Sequence, residues 1–182
     1  MNAEVKYSIG HLEFRCSHEL SGQWSAAGGE LAAQALSPLA ALEANQLRGM
    51  SLLAMGSGAA IAGLAALQIG FERIDLVLHP DDVEPFKSHD PDALATIHDR
   101  LEAVESGRNF MRVMLGCDGL IPPLSTGKEL VRRLRHEGQI VLYGLPLVEL
   151  NATFDTFAKN GLSLRSAGFH QEQAFLAGSL GD

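Results

Sequence analysis

The sequence predicts an α/β fold. It reads as a three-layer sandwich around a mostly parallel sheet, with a C-terminal antiparallel hairpin strand and an N-terminal extension of β-hairpin and helix. Three observations carry this. From residue 50 onward, short apolar runs alternate with helical periodicities, and such alternation implies parallel strands joined by right-handed crossovers. Several of the runs are uninterrupted, as in strands covered on both faces. One of them ends in Gly56-Ser57-Gly58, where a strand gives way to a helix.

The elements follow in order. Residues 4–16 alternate in polarity around Ile9-Gly10-His11-Leu12, which reads as a hairpin. Residues 28–42 repeat apolar side chains at helical spacing (Leu31, Ala35, Leu39, Leu42), with Pro38 as a break. Residues 50–55 form a strand, residues 60–69 a helix ending at Gly70, and residues 74–78 a second strand stopped by His79-Pro80-Asp81-Asp82. Residues 92–106 carry Leu94, Ile97, Leu101 and Val104 at helical spacing after Asp90-Pro91-Asp92, so a helix is expected there. Residues 110–115 read as a third strand, 126–135 as an amphipathic helix, and 139–144 as a strand begun after the break at Gly138. A helix holding Phe154 and Phe157 ends at Asn160-Gly161, and 162–169 pairs with 174–180 through His170-Gln171-Glu172.

A chain of 182 residues with 46% hydrophobic content is expected to form one domain, with residues 1–45 as hairpin and covering helix and 46–182 as the core. The net charge of −8 argues against a nucleic-acid partner. The longest basic run, Arg132, Arg133, Arg135 and His136, falls late in a predicted helix, where cations favour the helix dipole. Cys16 and Cys117 stand far apart with no CxxC, and His11, His18, His89, His98 and His170 show no ligand spacing, so no metal site is expected. Two lone cysteines and a start without an apolar signal core point to the cytoplasm. Residues 50–70 are uncharged, yet glycines at 56, 58 and 63 fit a buried strand–loop–helix better than a membrane span.

Gly56 and Gly58 sit where a buried strand becomes a helix. Glycines there let the backbone approach a ligand, and the helix N-terminus offers unpaired N–H groups. Ligands of such sheets bind beyond the carboxyl ends of the strands. Gly56, Ser57, Gly58 and Ala60 are therefore candidate cofactor contacts. A nucleotide site also needs a carboxylate after the next strand to bind ribose hydroxyls. That position falls on Leu78 or His79, with Asp81 and Asp82 just beyond, which makes His79 and Asp81 candidates. The competing reading is that Asp81 and Asp82 only cap the following helix.

These residues resemble the seven-strand, Rossmann-like class I S-adenosylmethionine (SAM) methyltransferases, above all the branch of protein-lysine and nicotinamide methyltransferase-like proteins. Trp24-Ser25-Ala26-Ala27 with Leu31-Ala32 is similar to that branch's helix before the SAM loop, which implies that Trp24 covers the site. Residues 52–62 occupy the place of its acidic-x-Gly-x-Gly-x-Gly loop, and residues 115–123 resemble its Asp-x-x-Tyr motif, which implies that Asp118 orients an acceptor amine. Residues 138–142 and 157–162 resemble the late strand, helix and hairpin of ribosomal-protein methyltransferases. The implied cofactor is SAM, and the implied partner is a protein or small-molecule acceptor.

The departures are specific. Ala54 stands where the family has Asp or Glu, Ala60 replaces the third glycine, and Ile121 replaces the tyrosine of Asp-x-x-Tyr. The stretch between residues 83 and 110 is short, so the family's third strand is expected to be degenerate or missing. Each lost charge-assisted anchor removes about 1.5–3 kcal/mol, so two weaken SAM by roughly two to four decades. Three readings stay open: an active methyltransferase, a methyltransferase-fold protein that has lost catalysis and serves as a partner, and a nicotinamide-dinucleotide-binding domain. The last rests on residues 136–146, which also look like a stretch of medium-chain dehydrogenases.

Overall fold

The computed structural model describes residues 4–17, 26–43, 45–117, 123–170 and 173–180. The chain opens on a hairpin of β1 (Glu4–Ile9) and β2 (Leu12–Ser17), turned at Gly10 with φ of 58°. Tyr7 and Phe14 face each other across it and stack with ring centroids 5.5 Å apart. Helix α1 (Ala26–Leu36) then tightens into a 3-10 turn (Ser37–Ala41) at Pro38, which has no N–H to continue the α-helical ladder.

The core alternates as the apolar runs predict. It comprises β3 (Ser51–Gly56), α2 (Ala59–Ile69), β4 (Arg73–Val77), α3 (Pro80–Lys87), β5 (Ala95–His98), β6 (Phe110–Gly116), α4 (Leu124–Arg132), β7 (Leu134–Pro146), α5 (Leu150–Ala158), β8 (Leu162–His170) and β9 (Gln173–Leu180). One seven-stranded sheet results, in the order β5-β4-β3-β6-β7-β9-β8. Only β9 runs against its neighbours. The α1–α3 side buries Ala54, Met114, Val141 and Tyr143; the α4–α5 side buries Leu53, Val113, Leu115, Leu130 and Phe157. Helix α2 is apolar nearly all round because the sheet, α1 and the hairpin enclose it. Its Gly63 permits the approach: an added Cβ would stand 2.6 Å from Leu76 Cδ1. No described helix is long and apolar enough to cross a membrane.

Three expectations are corrected. Residues 92–106 are not a helix. Asp90 accepts hydrogen bonds from the N–H groups of Leu94 (3.0 Å) and Ala95 (2.9 Å), and Ala93 adopts φ of 50°, so the chain turns and enters β5. Leu94, expected to face the core, is 65% exposed. The family's third strand is therefore present, as the four-residue β5 at the sheet edge. Finally, α4 stops at Arg132, short of residue 135, and β7 begins at Leu134 with a register shift opposite Phe110 and Arg112. Gly138 lies inside that strand, packed against the Phe110 carbonyl. Arg133 is buried, with Nε donating to Glu129 (2.9 Å) and Nη1 to the Glu105 carbonyl (2.9 Å).

Between β5 and β6 a short 3-10 turn (Leu101–Ala103) stands where a helix would otherwise cover the sheet. A buried ion cluster holds this segment. Asp75, fully buried at the centre of β4, lies 2.8 Å from His98 Nε2 and 3.2 Å from Arg108 Nη1 through Oδ1, and 3.7 Å from Arg73 Nε through Oδ2. Arg73 also packs over the Phe110 ring, 4.6 Å from its centroid. The side chains of Arg73 and Arg108 are 40% and 35% exposed, so losing Asp75 would chiefly leave the largely buried His98 ring without its acceptor. Asp75→Ala is expected to lower the unfolding free energy by about 1–3 kcal/mol in urea titrations. Arg108→Ala, at a side chain 35% exposed, is expected to leave the urea midpoint nearly unchanged.

Candidate functional site

The glycine loop links β3 to α2 at the carboxyl end of the sheet. Gly56 and Gly58 both take φ of 76°, a conformation that favours glycine. Gly56 pairs with Gly116 of β6, and the two backbones touch. A Cβ added to Gly56 would lie 2.2 Å from the Gly116 carbonyl oxygen, and one added to Gly116 would lie 1.8 Å from that of Ser57. The Ser57 N–H donates to the Gly116 carbonyl at 3.2 Å. These glycines therefore let the loop lie across the end of β6. No side chain caps α2, whose first-turn N–H groups, as in any α-helix, have no intrahelical acceptor. Ser57 is 3% exposed and its Oγ has no hydrogen-bond partner among the described residues; Ala59 and Ala60 pack into the core.

Beside the loop opens a cleft of about 310 Å³ lined by Met55, Val77, Arg100, Leu101, Glu102, Ser125, Thr126 and Glu129. It sits at the carboxyl ends of β3 and β4, between the Leu101–Ala103 turn and the start of α4, where ligands of doubly wound sheets bind. A slightly larger cleft, about 340 Å³, lies between α1 and strands β7 and β9 against Gln34, Pro38, Gln139 and Phe175. It holds no titratable side chain, so topology and chemistry both favour the first.

The other candidate residues fall as follows. His79 is the N-cap of α3: its Nδ1 accepts from the Asp81 N–H at 3.4 Å, and the Asp81 carboxylate lies 3.4 Å from the same nitrogen. Both side chains are exposed beyond β4, and neither lines the cleft. Asp81 and Asp82 occupy the first turn of α3, the arrangement the capping alternative describes. Ala54 is fully buried. Trp24, Asp118 and Ile121 lie outside the described residues. Sequence reasoning missed Arg100, Leu101 and Glu102, because the segment holding them was read as helix.

The cysteines are core residues. Burial pushes the Cys16 thiol up to about 11 and the Cys117 thiol up to about 12.

Together, the strand order, the glycine loop between β3 and α2 and the cleft beside it define the fold of the class I SAM-dependent methyltransferases. Among sequence relatives, the chain is 30% identical over 149 residues to the ribosomal protein L11 methyltransferase of Methylococcus capsulatus, covering 75% of this chain and 47% of that protein. It thus spans about half the length of the curated relative it matches. No family model matches the chain. Two solved structures share its architecture. The ribosomal protein L11 methylase of Lactobacillus delbrueckii subsp. bulgaricus superposes with a TM-score of 0.61 at 16% identity, over 75% of this chain and 77% of that one. The magnesium protoporphyrin IX methyltransferase of Synechocystis PCC 6803, with SAM bound, gives 0.65 at 15% identity, over 86% and 81%.

A side chain at position 116 collides with backbone, which has little room to yield. Gly116→Ala is therefore expected to cost about 3 kcal/mol or more, read as a lower urea midpoint. A thiol held above its ordinary pKa by burial stays protonated and unreactive below that value. Both cysteines are expected to resist Ellman's reagent at pH 8 in the folded protein and to react fully in denaturant.

Proposed function

We propose that this chain is a SAM-dependent methyltransferase-like domain acting on an amine of a protein or small molecule. The observation that carries it is the glycine loop, with positive φ at Gly56 and Gly58, at the carboxyl end of β3 beside the Met55–Val77 cleft. The uncapped α2 N-terminus and the partnerless hydroxyl of Ser57 fit a polar ligand at that place. The likeness to a methyltransferase of ribosomal protein L11 favours a protein acceptor. A cytoplasmic location belongs to the same reading.

SAM supplies an electrophilic methyl group when bound. The chain's task is then alignment and exclusion of water, which carry most of the acceleration in a transfer that needs few catalytic groups. The loop from Gly56 to Ala60 would hold the ligand, and the resemblance assigns Asp118 to orienting the acceptor amine and Trp24 to covering the site. Asp81, now 3.4 Å from His79 Nδ1, would supply the ribose contact. A second reading has a specific observation behind it. The buried methyl of Ala54 and the pairing of Asp81 with His79 leave the ligand without its two carboxylate anchors among the described residues. This favours a protein that keeps the fold and serves as a partner.

Isothermal titration of SAM, S-adenosylhomocysteine and NADH into the purified protein decides among these. Heat is expected with both SAM ligands, at affinities roughly two to four decades below those of a site keeping both anchors. No heat with either, on folded protein, rejects the first reading in favour of the partner; heat with NADH alone supports a dinucleotide domain.

A further inference from the structure

Tyr143 is fully buried, and its hydroxyl, like that of Ser57, has no hydrogen-bond partner among the described residues. Nearly all buried polar groups are satisfied, because an unpaired hydroxyl has given up water for nothing. Two such groups at one end of one sheet ask for a common cause. The register brings them together. Gly56, Gly116 and Tyr143 form a row across β3, β6 and β7. Alternation along β7 puts Tyr143 on the same face as Val141, Met114 and Ala54, the face covered by α1 and α2. Neither glycine in the row carries a side chain, and the Ser57 backbone folds over Gly116 on that face. Adjacent strands stand about 4.8 Å apart, so the Ser57 backbone, where it crosses β6 at Gly116, lies one strand away from Tyr143 on β7 at the carboxyl end of the sheet. Ala54 lies two residues before Gly56 on the same face, with only a methyl to offer.

We propose that Tyr143, together with Ser57, grips the amino-acid end of the glycine loop's ligand and so replaces the hold that a carboxylate at position 54 would supply. This rests on the SAM reading above. A phenol donates to an α-carboxylate and accepts from an α-ammonium, so a neutral pair serves a zwitterionic end without burying a new charge. Burial also raises the Tyr143 phenol far above its ordinary value, which keeps that donor protonated.

The test titrates S-adenosylhomocysteine and 5′-methylthioadenosine, the same nucleoside thioether without the amino-acid end, into wild-type, Tyr143→Phe and Ser57→Ala proteins. Tyr143→Phe is expected to weaken S-adenosylhomocysteine by about three- to tenfold and to leave 5′-methylthioadenosine unchanged. Without ligand the same variant is expected to unfold at least about 2 °C higher, because the unsatisfied hydroxyl is gone. A purely structural tyrosine would move stability alone. Unchanged S-adenosylhomocysteine affinity in both variants, or equal losses for both ligands, overturns the assignment while leaving the SAM reading intact. A wild-type protein that binds no S-adenosylhomocysteine overturns both.

Discussion

The crossing of the Ser57 backbone over Gly116 is the constraint on which the rest of the site depends. Two backbone segments touch there without an intervening side chain, and the contact fixes where β3 ends and where α2 begins. Because the loop is held against β6, the first turn of α2 faces the carboxyl end of the sheet, beside the cleft between β4 and α4. Glycine at positions 56 and 116 permits the chain to close on itself, because a Cβ at either would run into backbone.

A second constraint acts at the sheet edge. A four-residue strand has little pairing of its own, and the segment after it lacks a helix to cover it. Asp75 compensates by drawing His98 and Arg108 to the centre of β4, one from each end of the segment that lines the cleft. Desolvation and attraction nearly cancel in such a cluster. Its effect is therefore positional: it sets where Arg100, Leu101 and Glu102 stand.

Much of this was legible in the sequence. Apolar runs closed by glycine marked β3, α2 and the loop correctly, since burial on both faces leaves a pattern that needs no partner to be read. The late hairpin was legible as two apolar stretches on either side of a polar break. Residues 92–106 were not, because Leu94, Ile97, Leu101 and Val104 fit a helical period, whereas the deciding interactions are the Asp90 carboxylate on two N–H groups and the left-handed Ala93. The Tyr143 hydroxyl was invisible for a different reason. Its meaning lies in cross-strand register, and register between residues 56, 116 and 143 is a property of the folded sheet.

That distance along the chain has an entropic side. The contact of Ser57 with Gly116 closes a loop that holds β4, α3 and β5, and it is made against the closure entropy of everything it encloses. The loop is therefore no local motif that a fragment carries with it. Its shape depends on the assembled sheet, so any ligand bound there would lend its binding energy to the global fold.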